Sequence, residues 1–75
     1  MLSHSDELAL FVAVVEAGSF RQAADNLGID NSVVSRGVKR LEQKLATQLL
    51  HRTTRRVTLT DEGDWLYRRA ANLLD

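Results

Sequence analysis

Apolar residues Leu8, Phe11, Val12 and Val15 repeat at i, i+3, i+4 and i+7, a stripe that predicts an amphipathic helix. Ser5, followed by Asp6 and Glu7, starts it with acids beside the positive end of the helix dipole. Gly18 ends it. Ser19 restarts the chain as a capping box, Ser19-Phe20-Arg21-Gln22, whose glutamine amide can reach back to the cap. The short second helix presents Phe20, Ala23, Ala24 and Leu27 and stops at Gly28. A third helix begins at Asp30 or Asn31 and runs to about residue 45. With Asn31 at zero and 100° per residue, Val34, Val38, Leu41 and Leu45 gather at about 280–340°. Ser32, Ser35, Arg36, Lys39 and Gln43 fall at about 40–140°, so one face is apolar and the other carries cations and short polar groups.

After Leu45 the period changes. In LLHRTTRRVTLT, Val57 and Leu59 alternate with Thr58 and Thr60, which predicts a two-stranded hairpin with Thr53-Thr54-Arg55-Arg56 at its tip. Such a ribbon is marginal alone and must pack on the helices. Thr60 then caps a last helix with Asp61 and Glu62 in its first turn. Its stripe is Gly63, Leu66, Tyr67, Ala70, Ala71 and Leu74, and no stop signal follows it. The chain reads as a piece of something longer.

Composition sharpens this picture at three points. Seventy-five residues make one small domain of modest isolated stability. Without cysteine, neither a disulfide framework nor a cysteine-based zinc site can staple it. No apolar run approaches the roughly 18–20 residues of a spanning helix, which predicts a soluble intracellular domain with no membrane partner. The net charge is zero, but its distribution is uneven. Residues 1–30 hold five acids and one cation, whereas residues 31–60 hold Arg36, Lys39, Arg40, Lys44, Arg52, Arg55 and Arg56 against Glu42 alone. A like-charge block strains a compact domain unless an anionic partner relieves it, which points to a polyanion.

Ala23, Ala24 and Gly28, with Leu27, Ile29 and Val34 to fill the corner, form a helix-turn-helix pattern whose second helix suits a DNA major groove. At this point the segment GSFRQAADNLGIDNSVVSRGVKRLEQKLATQLLHRTTRRVTLTDEG resembles the N-terminal winged helix-turn-helix domain of LysR-type bacterial transcriptional regulators. The resemblance runs from about Leu8 to Asp75. It rests on G-S-F before an Ala-Ala pair, L-G-I followed by S-x-V-S-R, K-R-L-E, and R-x-x-R-x-V-x-L-T-x-x-G. It implies a mainly α fold: a three-helix core plus a two-stranded β wing over residues 1–60, then a linker helix from residue 61 to 75. It also implies a homodimer joined through the linker helix, and a C-terminal effector-binding domain absent from this sequence. The partner implied is double-stranded DNA carrying an interrupted inverted repeat, met by a cytoplasmic, nucleoid-associated protein. No cofactor or metal is implied for this domain; a small-molecule effector belongs to the absent one.

By the family's arrangement, Asn31, Ser32, Ser35 and Arg36 start the recognition helix and meet base edges; arginine suits guanine and asparagine adenine. Asn31 has a second reading as a plain N-cap. Ser19, Arg21, Lys39 and Arg40 fit phosphate contacts, and Phe20 fits the core. Thr54, Arg55 and Arg56 form a wing for the minor groove, with Arg55 resembling the family's groove-inserting arginine. Arg52 and Arg56 fit equally a role in holding the hairpin to the helices. Leu66, Tyr67, Ala70, Ala71 and Leu74 form the candidate dimer interface, or pack on the first helix of the same chain. Three positions depart from the family pattern. Gly37 removes a long polar side chain and with it a DNA contact, Ala46 replaces the glycine that ends the recognition helix, and Leu50 replaces a frequent phenylalanine.

Rival functions fare worse. A winged-helix module for protein–protein assembly explains the last helix but not the acid-poor middle. The sequence offers no carboxylate pair, phosphate loop or nucleophile with a neighbouring base, which predicts no enzyme. Single-strand binding calls for exposed stacking aromatics, and Phe11 and Phe20 read as core. His4 and His51 read as isolated surface residues.

Overall fold

The computed structural model describes residues 4–52 and 56–74, the side chains of 4, 5, 73 and 74 excepted. Its elements follow in the order α1 (His4–Ala17), α2 (Phe20–Leu27), α3 (Asn31–Leu45), β1 (Leu50–Arg52), β2 (Val57–Leu59) and α4 (Asp61–Leu74). This is the winged helix-turn-helix predicted above. The strands pair antiparallel, with Leu50 opposite Leu59, His51 opposite Thr58 and Arg52 opposite Val57.

The boundaries have local causes. Gly18 leaves α1 at φ 82°, its N–H donating to the Val14 carbonyl at 2.9 Å. Ser19 is extended and its Oγ accepts from the Gln22 N–H at 3.0 Å. Only half of the expected capping box forms, because the Gln22 amide donates forward to Asn26 Oδ1 at 2.9 Å. Gly28 ends α2 at φ 70°, and the next N–H, of Ile29, donates back to the Ala24 carbonyl at 3.1 Å. That left-handed residue makes the sharp corner at no Cβ penalty.

The core is built from Leu10, Phe11, Val14, Ala23, Ala24, Val34, Val38, Leu41, Leu49 and Leu50. The stripe on α1 is turned slightly from the sequence reading. Glu7, Leu10, Phe11 and Val14 are buried, while Leu8 and Val15 are half-buried. The corner also differs from expectation. Val34 is buried, but Leu27 and Ile29 are 47% and 39% exposed, lining a shallow apolar recess with Asp6, Ala9 and Leu10. They sit at the outer edge where α2 and the turn pass α1, so only one side of each is covered. Leu45, in the last turn of α3, is likewise 47% exposed.

Beyond α3 the chain turns through Ala46 at φ 51° and ψ 38°, a left-handed conformation that costs an L-residue about 1–2 kcal/mol. Leu50, at the position where phenylalanine is frequent, is buried. Thr60 caps α4: its Oγ1 accepts from the Gly63 N–H at 2.9 Å and donates to the Gln48 carbonyl at 2.7 Å. Gly63 packs directly on the loop after α3. A Cβ added there would collide with the Leu49 carbonyl oxygen. The first turn of α4 is therefore pressed onto the backbone between α3 and β1.

Candidate nucleic-acid interface

The N-terminal half of α3 supplies the candidate reading surface. Asp30 is its N-cap in backbone conformation, without a side-chain cap bond. Asn31 is therefore the first helical residue and exposed, so the N-cap reading of Asn31 does not hold. Ser32 and Arg36 are exposed and Ser35 is half-buried. Asn31, Ser32 and Ser35 line one groove with Phe20, Arg52 and Val57, which joins the start of α3 to the base of the wing. Arg36 lies along its helix, its Nε donating to the Ser32 carbonyl at 3.3 Å. Lys39 and Arg40 follow one turn later and are exposed. Among the described residues, no carboxylate lies within ion-pair distance of Arg36, Lys39 or Arg40.

Two other cations of the basic segment are held by acids. Arg52 Nη2 donates to Glu42 Oε1 at 3.1 Å, and its guanidinium lies 5.1 Å from the centroid of the Phe20 ring. Glu42 also accepts at Oε2 from the Leu49 and Leu50 N–H groups, at 2.8 and 3.3 Å. One carboxylate thus ties α3, the following loop and β1 together, and Arg52 carries the tie to α2. Lys44 Nζ donates to Glu7 Oε1 at 2.8 Å, joining the end of α3 to the start of α1.

Ser19 caps α2 and is half-buried, while Arg21 beside it is exposed. Arg56 is exposed; Thr54 and Arg55 lie outside the described residues. Gly37 is buried within α3. His51 is exposed, and the His4 side chain falls outside the described residues.

On α4, the predicted stripe turns toward its own chain. Ala70 is buried, Leu66, Tyr67 and Ala71 are half-buried, and Tyr67 Oη donates to Glu16 Oε2 of α1 at 3.2 Å. The Leu74 side chain falls outside the described residues. The exposed apolar surface lies beside that stripe. Trp65 is 59% exposed, with the Arg69 guanidinium 4.3 Å from its ring centroid, and it borders a groove floored by Leu45, Leu49 and Leu66. No described helix is long and apolar enough to cross a membrane.

Sequence reading missed Glu7 and Glu42 as structural centres. Glu7 was readable as a helix-start acid, yet it stands at i to Leu10, Phe11 and Val14 at i+3, i+4 and i+7, on the core face. Its partner is 37 positions away, beyond any local pattern.

A three-helix core with a hairpin wing, in which α3 packs one face on the core and exposes a polar one, defines a winged helix-turn-helix protein. The sequence matches the family described as "Bacterial regulatory helix-turn-helix protein, lysR family" over residues 5–64, and the chain belongs to that family. Among curated relatives, the HTH-type transcriptional regulator CrgA of Neisseria meningitidis is 55% identical over 74 residues, covering 99% of this chain and 25% of that protein. The HTH-type transcriptional regulator PtxR of Pseudomonas aeruginosa is 49% identical over 69 residues, covering 92% of this chain and 22% of the relative. The chain thus spans about a quarter of their length. Among solved structures, the BenM DBD in a complex with catB site 1 DNA matches with a TM-score of 0.89 at 46% identity. That match covers 93% of this chain and 75% of the other.

Proposed function

We propose that the chain binds duplex DNA by sequence, as the headpiece (residues 1–60) and linker helix (from residue 61) of a longer LysR-type transcriptional regulator. In this reading α3 enters the major groove. Asn31, Ser32, Ser35 and Arg36 meet base edges, and Arg21, Lys39, Arg40 and the Ser19 end of α2 meet phosphates. Thr54, Arg55 and Arg56 of the wing meet the minor groove. The observation that carries the reading is the cationic run Arg36, Lys39 and Arg40, exposed on one helix with no carboxylate partner among the described residues. Support comes from the family and from the BenM DBD, whose crystal structure is of a complex with catB site 1 DNA.

The protein acts as a homodimer on an interrupted inverted repeat, joined through α4. Because Ala70 is consumed within the chain, the second copy meets α4 on the Trp65 side, over the groove reaching Leu45 and Leu66. The small-molecule effector binds elsewhere in the full-length regulator, this domain needs no cofactor, and the protein works in the bacterial cytoplasm on the nucleoid. Binding measured across a salt series tests the DNA reading. Log affinity should fall linearly with log salt, by about 0.9 for each phosphate contact. Absent or salt-insensitive binding contradicts it. Sedimentation tests the dimer: Trp65→Glu should shift it to monomer, and an unchanged dimer removes Trp65 from the interface.

A further inference from the structure

The pair Glu7–Lys44 is an expensive way to hold two helices together. Glu7 is 0% exposed and the Lys44 side chain 38% exposed; Oε1 accepts from Lys44 Nζ at 2.8 Å, and Oε2 is buried with no hydrogen-bond partner among the described residues. Replacing a buried ion pair by apolar side chains of similar volume is often neutral or stabilising. One oxygen of this buried carboxylate has no hydrogen-bond partner among the described residues, so stability alone is a weak reason for the pair. What a 2.8 Å charged hydrogen bond supplies is directional geometry, whereas the burial of apolar surface between helices is non-directional.

The pair's place in the fold gives that geometry a use. Glu7 is in the first turn of α1, and Lys44 is in the last turn of α3. Lys44 stands 13 residues from Asn31, about 20 Å along the helix at 1.5 Å per residue. The far end of this lever carries the base-reading side chains. A tilt of about 5° at the Lys44 anchor moves that end by about 1.7 Å over the same rise, enough to break a hydrogen bond of ordinary length. The anchor also lies two residues before Ala46, whose left-handed backbone leaves the helix end without a relaxed glycine stop.

We propose that Glu7 and Lys44 are positioning residues for sequence discrimination: the ion pair between the buried Glu7 and the partly exposed Lys44 sets the inclination of α3, and Lys44 is not a phosphate contact. This inference rests on the DNA-binding reading above. It separates two properties that a structural ion pair would move together, stability and selectivity.

The test compares the wild-type chain with E7L/K44M, which fills the same space without charge, and with E7Q and K44M. Each is titrated with a duplex selected from a random pool and with its scrambled counterpart, alongside thermal melts and salt series. E7L/K44M should melt no lower than wild type, bind the scrambled duplex with wild-type affinity and salt slope, and lose preference for the selected duplex by roughly tenfold. E7Q, which keeps the side-chain shape, should lose preference in the same way. If E7L/K44M retains wild-type preference, the inference is overturned. It also fails if K44M lowers the salt slope by about one on both duplexes, the mark of a phosphate contact. A DNA-free measurement separates this inference from the one beneath it. The chain has no cysteine, so spin labels at Ser32→Cys and Asn72→Cys report the angle of α3 to α4. The label distance should broaden or shift in E7L/K44M; an identical distribution contradicts the inference, whatever the chain does with DNA.

Discussion

The two ends of α3 are made of similar residues put to opposite uses. Over its first ten residues, Arg36, Lys39 and Arg40 stand exposed alongside Asn31, Ser32 and Ser35, with no acid among the described residues near enough to pair. At the C-terminal end, Lys44 pairs with Glu7, while Glu42 takes two backbone N–H groups and Arg52. One end presents charge and the other neutralises it. The difference teaches that cation counts overstate a binding face: of the basic residues between 31 and 60, Lys44 and Arg52 already have carboxylate partners in the fold. DNA contacts are therefore expected from Arg36, Lys39 and Arg40 rather than from Lys44 and Arg52.

The comparison breaks most visibly at the mount. Gly63→Ala should destabilise the chain by about 3 kcal/mol, because its Cβ meets backbone rather than a movable side chain. Urea unfolding measures that loss, and a cost below about 1 kcal/mol would mean α4 shifts freely on the Leu49 loop. Glu42→Ala should cost about 2 kcal/mol, because the Leu49 and Leu50 N–H groups lose their acceptor in a buried setting. Its thermal melt should fall while a Lys39→Ala melt stays at wild type.

On the reading end, the order reverses: stability is unmoved and binding changes. Arg36→Ala should lose about 1–3 kcal/mol of discrimination at one base pair. Lys39→Ala should instead weaken all duplexes alike and lower the salt slope by about one. Paired titrations check both, and the same specificity profile for the two variants would erase the distinction. The smallest effect is a gain. Ala46→Gly should stabilise by about 1 kcal/mol, since glycine takes the φ 51° conformation without a Cβ penalty.

Most of the architecture was legible in the sequence. The stripes, the glycines at 18 and 28 and the Val57–Leu59 alternation located all six elements, because each is a local signal. The exposed polar face of α3, the proposed reading face, was legible for the same reason: one helical period sorts its cations from its apolar residues. Burial at element ends was harder. Leu27, Ile29 and Leu45 sit at the right phase but at edges where they are only partly covered. The Gln22 amide had two partners within reach and took Asn26. The two carboxylate ties stayed hidden because their partners come from other elements, and periodicity says nothing about which acid meets which distant base. The inward turn of the α4 stripe was foreseen as one of two uses, and Tyr67 bonding to Glu16 accounts for that side of the helix.

The central proposal is that bases are met by side chains from the first part of α3, while the paired residues at its other end hold the helix in place without touching DNA. Selection of bound duplexes from a random pool, run in parallel for wild type, Arg36→Ala and Arg52→Ala, tests it most directly. The account predicts an interrupted inverted repeat for wild type, loss of preference at one position per half-site for Arg36→Ala, and an unchanged motif with a lower melting temperature for Arg52→Ala. Motifs that respond to Arg52 but not to Arg36 would contradict it.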